Sequence, residues 1–551
     1  MKILYLKSTY LHNKTDKTTL NKNDFSMPST DTTSVPVSKV GTATNGDTAF
    51  FGHPRGLSTL FFTEMWERFS YYGMRALLIL FMTAPITAGG LGFEARNAGV
   101  IYATYTAFVY LLSLPGGWIA DKFLGLRRSV FIGGVIIMFG HISLALPGIA
   151  TFYLGLVLVV LGTGLLKPNI SALVGQLYSQ DDVRRDAGFS IYYMGINIGA
   201  FIAPLVCGTL AQAEWFKAFL MNFGIDPKGS WHWGFGAAAV GMFLGLVQFV
   251  LTGKFLGQAG APPAPNPDAE QTQKAKRQLI LGISVVVGIL GLVAILGATN
   301  AIEINADNIS FVIGVAYVIV TVGYFGALFA QEWTPVERNR LIVIVVLFVC
   351  AAVFWSAFEQ AGSSLNLFAD RYTNTTLFGI AFPSSYFQSL NSLFVISLAP
   401  AFAALWVWLG KRNLEPSSPV KFAIGLLGVG LGFVILVPPA FTITGAPEGF
   451  RVSPMWLVMV YLIHTIAELC LSPVGLSTVT KLAPERVVGQ MMGVWFLGAS
   501  VGNFAGGQIA SLFETFPLPW LFLSVFATAG LASLVLFLLV RPIRNLMGGI
   551  K

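Results

Sequence analysis

The chain has 551 residues, of which 55% are apolar and only 11% charged, with a formal net charge of +8 and a mean hydropathy of +0.70. Soluble domains carry about a quarter charged residues, so this composition sets aside a water-soluble globular domain. It also sets aside a nucleic-acid partner, because the basic residues sit in short connections between apolar runs instead of forming a patch.

Residues 1–54 are polar, rich in Ser, Thr, Asn and Lys, and lack the apolar core of a signal peptide. They read as a disordered cytoplasmic tail, with Met27 as a second candidate start. Apolar runs of about 20 residues are candidate membrane helices. Fourteen are expected, at 57–84, 95–120, 127–147, 152–178, 186–211, 231–253, 276–298, 308–330, 338–362, 384–410, 420–439, 454–479, 486–513 and 518–540. Short polar or Gly/Pro connections separate them, except at 255–275, where Gly-Ala-Pro-Pro-Ala-Pro-Asn-Pro predicts a stiff, exposed linker.

With the N-terminus in the cytoplasm, the inward loops hold nineteen Lys and Arg residues, among them Lys122, Arg127, Arg128, Arg184, Arg185, Arg338, Arg340 and Arg486. The outward loops hold five: Arg96, Lys217, Lys228, Arg371 and Arg451. That asymmetry predicts an even number of spans with both termini cytoplasmic. The runs within 276–335 have almost no charge at their centres, which predicts a peripheral pair. Without them, six spans at 55–254 and six at 336–545 suit two bundles around a central cavity, with 546–551 as a tail. The three cysteines, Cys207, Cys350 and Cys470, lie inside apolar runs without metal-ligand spacing and read as buried free thiols.

The first run is the least ordinary. It holds Glu64, Glu67, Arg68 and Arg75 in an otherwise apolar helix. A charge near a bilayer centre costs about 2.5–3.5 kcal/mol, so four in one helix require partners, a water-filled cavity or a function. At about 100° per residue, Glu64, Glu67, Arg68, Tyr71, Tyr72 and Arg75 fall within an arc of roughly 140° and face one interior. The bland alternative is an ion-pair cluster that only locks helices together, although buried ion pairs are weak devices for stability.

Other polar groups punctuate the later runs. Gly117-x-x-x-Asp121-x-x-x-Gly125-x-Arg127-Arg128 joins the second and third runs. Its glycines predict close helix approach, and Asp121 is placed to pair with the arginines or to cap a neighbouring helix. Topology alone would also explain the basic loop. Gly162-Thr-Gly164-Leu-Leu-Lys167-Pro168-Asn169 sets a lone lysine inside the fourth run, a functional group by default unless it snorkels to an interface. Asn197 in the fifth run suits a peptide amide or an interhelical hydrogen bond. Glu359, Asn391 and Glu468 lie in the apolar runs of the second half, and Trp495 follows. A carboxyl such as Glu359 can take or release a proton as cations approach or leave it. His464, one turn before Glu468, reads as a hydrogen-bonded interior group. No HExxH, GxSxG or Cys/His cluster is present, which argues against an enzyme and against a metal or other cofactor.

Glu64-x-x-Glu67-Arg68-Phe69-x-Tyr71-Tyr72-Gly73 resembles the ExxERFxYYG motif of the proton-coupled oligopeptide transporter family. Phe189-Ser-Ile-Tyr192-Tyr193-Met-Gly195-Ile-Asn197-Ile-Gly199 resembles its FYxxINxG segment, and the Gly117–Arg128 stretch resembles the loop signature of the major facilitator superfamily. The resemblance implies an all-α polytopic membrane protein of the major facilitator fold. Twelve core helices would form two bundles, with the extra pair found in bacterial members making fourteen. It implies proton-driven symport of di- and tripeptides into the cell across the plasma (inner) membrane.

It further implies roles. Glu64, Glu67, Arg68, Lys167 and Glu359 would serve proton coupling. Tyr71, Tyr72, Arg75, Tyr110, Lys167, Asn197, Glu359, Asn391, Glu468 and Trp495 would serve peptide binding. Lys167 would pair with a carboxylate or the peptide carboxyl terminus, Glu468 would receive the amino terminus, and Gly117, Asp121, Arg127 and Arg128 would gate. Animal members carry a histidine where this chain has Ala103, so coupling would fall to the carboxylates. A small anion such as nitrate is the alternative cargo, but it leaves Glu468 without an evident partner.

Overall fold

The computed structural model describes residues 47–549 apart from 180–181, 263–268, 301–302 and 304. The expected polar tail up to residue 46 and the centre of the Pro-rich linker lie outside the described residues.

Long helices occupy all fourteen expected places. They are α1 (Arg55–Thr83), α2 (Ala95–Leu111), α3 (Leu126–Leu144), α4 (Ile149–Gln176), α5 (Arg185–Gln212), α6 (Ser230–Thr252) and α7 (Ala269–Ala298). There follow α8 (Ala306–Phe329), α9 (Pro335–Phe358), α10 (Ser389–Lys411), α11 (Ser418–Ile435), α12 (Met455–Leu482), α13 (Val488–Ser511) and α14 (Leu518–Leu538). Eleven helical runs are long and apolar enough to cross a membrane. The set leaves out α7, α13 and α1, the last of which carries four charged residues in its apolar stretch.

Local chemistry sets the helix ends. Thr334 and Glu337 form a reciprocal capping box at the start of α9, with Pro335 at its first position. Ala84 precedes Pro85 and is extended, which stops α1. After α9 the chain turns through a tight 3₁₀ segment, Glu359–Gly362, before resuming as the short helix Ser364–Tyr372. That break puts Glu359 at an interruption of the helical ladder.

Helices α1 and α3–α6 pack mainly on one another, as do α9, α11, α12 and α14, while α2 packs most on α13 and α10 most on α5. Small residues let the backbones close. Gly199 of α5 lies on the Met65 carbonyl, and Gly116, in the short helix Ser113–Ile119 that continues α2, lies on the Gly164 carbonyl of α4. A Cβ would fit at neither. The expectation placed this contact at Gly117, whose neighbour is instead the Pro168 side chain at 3.9 Å from a built Cβ.

The two sets meet along a seam between α2 and α13, where Gly507 rests on Ala103. They meet again between α5 and the start of α10, where Ser389 donates to the Phe201 carbonyl (2.7 Å) and Thr209 shares a hydrogen bond with Tyr386 (2.5 Å). At the Thr83 end of the molecule, Ala95 N–H donates to Glu514 (3.1 Å) and Gln212 donates to Ser384 (3.1 Å). Among the described residues, no ion pair joins α4 or α5 to α12 or α13 at the opposite, Arg55 end.

The outside of these helices carries large exposed apolar side chains such as Phe139, Leu154, Val157, Val250 and Leu251. Water does not tolerate such a belt, but hydrocarbon does. The protein is therefore a multi-pass helical membrane protein. Helix α8 exposes most of its surface, as expected for a peripheral element. The linker is less exposed than predicted. Its first residues dock on the protein, where Arg127 donates to the Gly257 and Ala259 carbonyls (2.8 and 3.0 Å) and Gln176 accepts from Gly260 N–H (2.7 Å). Cys207, Cys350 and Cys470 are buried free thiols, as the sequence indicated.

Candidate functional site

The arc on α1 faces the interior. Arg68 Nε lies 2.7 Å from Glu64 Oε1 and 2.9 Å from Glu67 Oε2, and all three side chains are buried. Among the described residues, Glu64 Oε2 and Glu67 Oε1 have no hydrogen-bond partner. One guanidinium thus serves two carboxylates and leaves acceptor capacity unused on both. Two turns further along, Arg75 Nη2 meets Glu359 Oε2 at 2.5 Å, and Arg75 Nε donates to the Tyr102 hydroxyl at 2.7 Å. This pair ties α1 to the break after α9, across the two sets of helices. Asn366 reinforces it by donating to the Ala76 carbonyl at 2.8 Å. Gly362 allows it, because a Cβ there would strike the Tyr102 hydroxyl.

Lys167 stands apart. Its ammonium lies 3.6 Å from the centroid of the Tyr110 ring, a cation–π contact. No carboxylate among the described residues comes within ion-pair distance. Of the two partners expected for Lys167, a carboxylate or the peptide carboxyl terminus, the first is not engaged in this conformation. Tyr71 and Tyr72 stand edge to face at 5.2 Å, with Arg75 over the Tyr72 ring at 5.7 Å.

Glu468 is the acid of the other half. Asn391 donates to it at 3.1 Å and to Thr465 at 3.0 Å, and no cation pairs with it among the described residues. Asn197 donates to the Tyr193 carbonyl of its own helix at 3.0 Å, which leaves its oxygen as acceptor. Trp495 is buried edge-on to Phe422 at 6.3 Å. His464 bonds the Val429 carbonyl at 3.0 Å, an interior group as read.

Counted together, Glu64, Glu67, Glu359 and Glu468 oppose Arg68, Arg75 and Lys167. Four carboxylates against three cations leave a formal −1 when all are ionised, and one bound proton neutralises the set. An apolar surround favours a neutral set over a charged one.

The basic loop departs from expectation. Asp121 is exposed and has no ion pair among the described residues, and Arg127 is held by the linker carbonyls instead. Gly125 adopts φ 75°, which makes the turn into α3.

Three contacts were not foreseen: Tyr102 on Arg75, Asn366 on α1 and Thr465 beside Asn391. For Tyr102 the periodicity held a signal, since Tyr102 and Tyr110 lie about 80° apart on one helix face. The alanine at the histidine position also has a structural reason. Ala103 abuts Gly507 with no space between them. We predict that Ala103→His forces α2 from α13 at a cost of about 1–3 kcal/mol. A thermal-unfolding midpoint in detergent that drops by several degrees would bear this out, and an unchanged midpoint would refute it.

Residues 127–522 match the POT family. The chain belongs to the POT family. It is 42% identical over 522 residues to the peptide transporter YePEPT of Yersinia enterocolitica, covering 92% of this chain and 98% of the relative. It is 39% identical over 513 residues to a di-/tripeptide transporter of Lactococcus lactis subsp. cremoris, covering 91% and 98%. A crystal structure of the peptide transporter POT in complex with sulfate is similar in fold, with TM-score 0.81 and 44% identity over 91% of this chain and 97% of that one. In this POT-family chain the charged motif of α1, Glu359 at the break after α9 and Glu468 of α12 face one interior.

Proposed function

We propose that the protein imports di- and tripeptides by proton-driven symport through alternating access. It would cross the plasma membrane fourteen times with both termini in the cytoplasm. The observation that carries the reading is the split of complementary groups between the two sets of helices. The cations Arg75 and Lys167 stand on α1 and α4, and the unpaired carboxylate Glu468, with Asn391, stands on α12 and α10. A zwitterionic peptide needs a cation for its carboxylate and an anion for its ammonium. Its two ends would bridge the two sets, giving the ligand a stronger hold on the closed arrangement than on either open one. The conserved chemistry of its backbone would meet Asn197 and Asn391, while Tyr71, Tyr72 and Tyr110 offer amphipathic walls for varied side chains. The similarity to relatives named as peptide transporters supports the same reading.

The mechanism follows from the ion pairs. Polar contacts at the Thr83 end join the two sets, and the Ser500–Ala107 bond joins them further in; with the N-terminus inside, the joined Thr83 end would close the protein to the outside. A proton on Glu359 would release Arg75, and the peptide carboxylate would take up the freed guanidinium. Loss of that proton to the cytoplasm would restore the Arg75–Glu359 pair and expel the peptide.

The amino-terminal role of Glu468 gives a direct test. Glu468→Gln keeps the shape and removes the charge, so KM for a free dipeptide should rise about tenfold or more, the scale of a lost charge-assisted hydrogen bond. Uptake of the N-acetylated analogue, poor from the start, should change little. Equal sensitivity of both ligands would remove Glu468 from the site. Strong competition by nitrate in the wild-type protein would favour an anion cargo.

A further inference from the structure

We propose that Tyr317, on the inserted helix α8, is a positioning residue for alternating access: its hydroxyl orients Ser500 so that Ser500 holds α2 across the seam. The inference rests on the alternating-access reading above.

Helix α8 meets α13 through one stripe. Ser310 donates to Gln508 (2.7 Å), Tyr317 bonds Ser500 (2.7 Å), and Tyr324 donates to Gln490 (3.4 Å). The three α8 residues are seven apart, so they share one face and run antiparallel to α13. Elsewhere α8 presents Phe311, Val312, Val318, Ile319 and Val322 outward. Helix α8 is thus hydrogen-bonded to α13 while its backbone also lies against α2.

Ser500 is fully buried and donates to the Ala107 carbonyl of α2 at 2.7 Å. It has one hydroxyl hydrogen, and that hydrogen is spent on Ala107. In the Tyr317–Ser500 bond the tyrosine must then be the donor. The relay has a fixed polarity: Tyr317 O–H to Ser500 Oγ, Ser500 O–H to the Ala107 carbonyl. A helical serine without such a donor readily turns its hydrogen back to the carbonyl four residues earlier. Tyr317 thus keeps the Ser500 hydrogen available to α2. The only ion pair described between α8 and α2, Arg96–Asp307 at 2.9 Å, is exposed and contributes little, so beside the direct packing of α8 on α2 Ser500 supplies the buried polar link between them.

When α2 and α13 part, the Ser500–Ala107 bond is lost, while the three side-chain bonds of α8 to α13 favour keeping Tyr317 on Ser500. Tyr317 therefore biases the protein toward the seam-closed state without touching substrate.

The test places spin labels at Asn97→Cys and Leu512→Cys, exposed positions near the Thr83 ends of α2 and α13, in the full chain reconstituted in lipid. The native cysteines are buried. Wild type should show a short and a long distance whose ratio responds to pH and dipeptide. Tyr317→Phe should shift that ratio about fivefold toward the long distance, the scale of one hydrogen bond. Ser500→Ala should do the same, and the double variant should add nothing further. Unchanged ratios, or effects that add independently, would overturn the role of Tyr317. If Tyr317→Phe does not fold, an unchanged ratio in Ser500→Ala overturns it equally. A single distance in wild type under every condition would instead overturn alternating access itself.

Discussion

In proteoliposomes with an inward proton gradient, Glu359→Gln is expected to lose concentrative dipeptide uptake by at least about tenfold while peptide counterflow persists. Glu359 sits at the 3₁₀ break after α9 and closes on Arg75 of α1 at 2.5 Å. Glutamine imitates the protonated carboxyl in size and neutrality. It leaves Arg75 free in every state, so peptide can still bind and exchange, but no proton event toggles the pair. Removing one partner of a buried, hydrogen-bonded charge pair costs about 3–5 kcal/mol. The Tyr102 hydroxyl and the Glu359 backbone carbonyl still receive Arg75, which keeps the folded state accessible. Full accumulation by this variant would remove Glu359 from coupling.

The larger structural effect is expected at Arg68. Arg68→Met leaves Glu64 and Glu67 buried one turn apart with no shared cation, and each already has an oxygen without a hydrogen-bond partner. At about 3–5 kcal/mol for breaking a buried pair, the folded yield should fall sharply and transport by at least about a hundredfold. The triple variant Glu64→Gln, Glu67→Gln, Arg68→Met removes the repulsion together with its cause. It should recover a monodisperse gel-filtration profile and thermal stability without recovering proton-driven uptake. Arg68→Met protein with wild-type yield and transport would show that the triad is neither structural nor coupling. Recovered uptake in the triple variant would restrict it to structure.

Much of this arrangement was legible in the chain. Apolar run length located every long helix, because hydrocarbon requires internally bonded backbone of fixed length. The helical period placed Glu64, Glu67, Arg68 and Arg75 on one interior face, where the structure has them. Partners far apart in sequence were not legible. Arg75 and Glu359 are separated by 284 residues, and no periodicity chooses between Arg75 and Lys167 as the cation for Glu359. Lys167 over the Tyr110 ring shows why: an aromatic face can hold an ammonium without a carboxylate, and a pattern of charges alone does not reveal it. Gly116 and Gly117 are neighbours of the same type, and only the approach of the Gly164 carbonyl tells which one is needed. Asp121 failed as an ion-pair prediction because the linker, read as exposed, occupies Arg127. Tyr317 and Ser500 carry no charge and lie in apolar runs, so their relay is invisible without the packing of α8 on α13.

The central claim is that a proton gradient drives peptide through this interior. Uptake of a labelled dipeptide into proteoliposomes, with and without an inward proton gradient, tests it most directly. The account predicts accumulation above the external concentration that collapses on adding a protonophore. Folded protein that moves no dipeptide, or moves it equally well with no gradient and only to equilibrium, would contradict it.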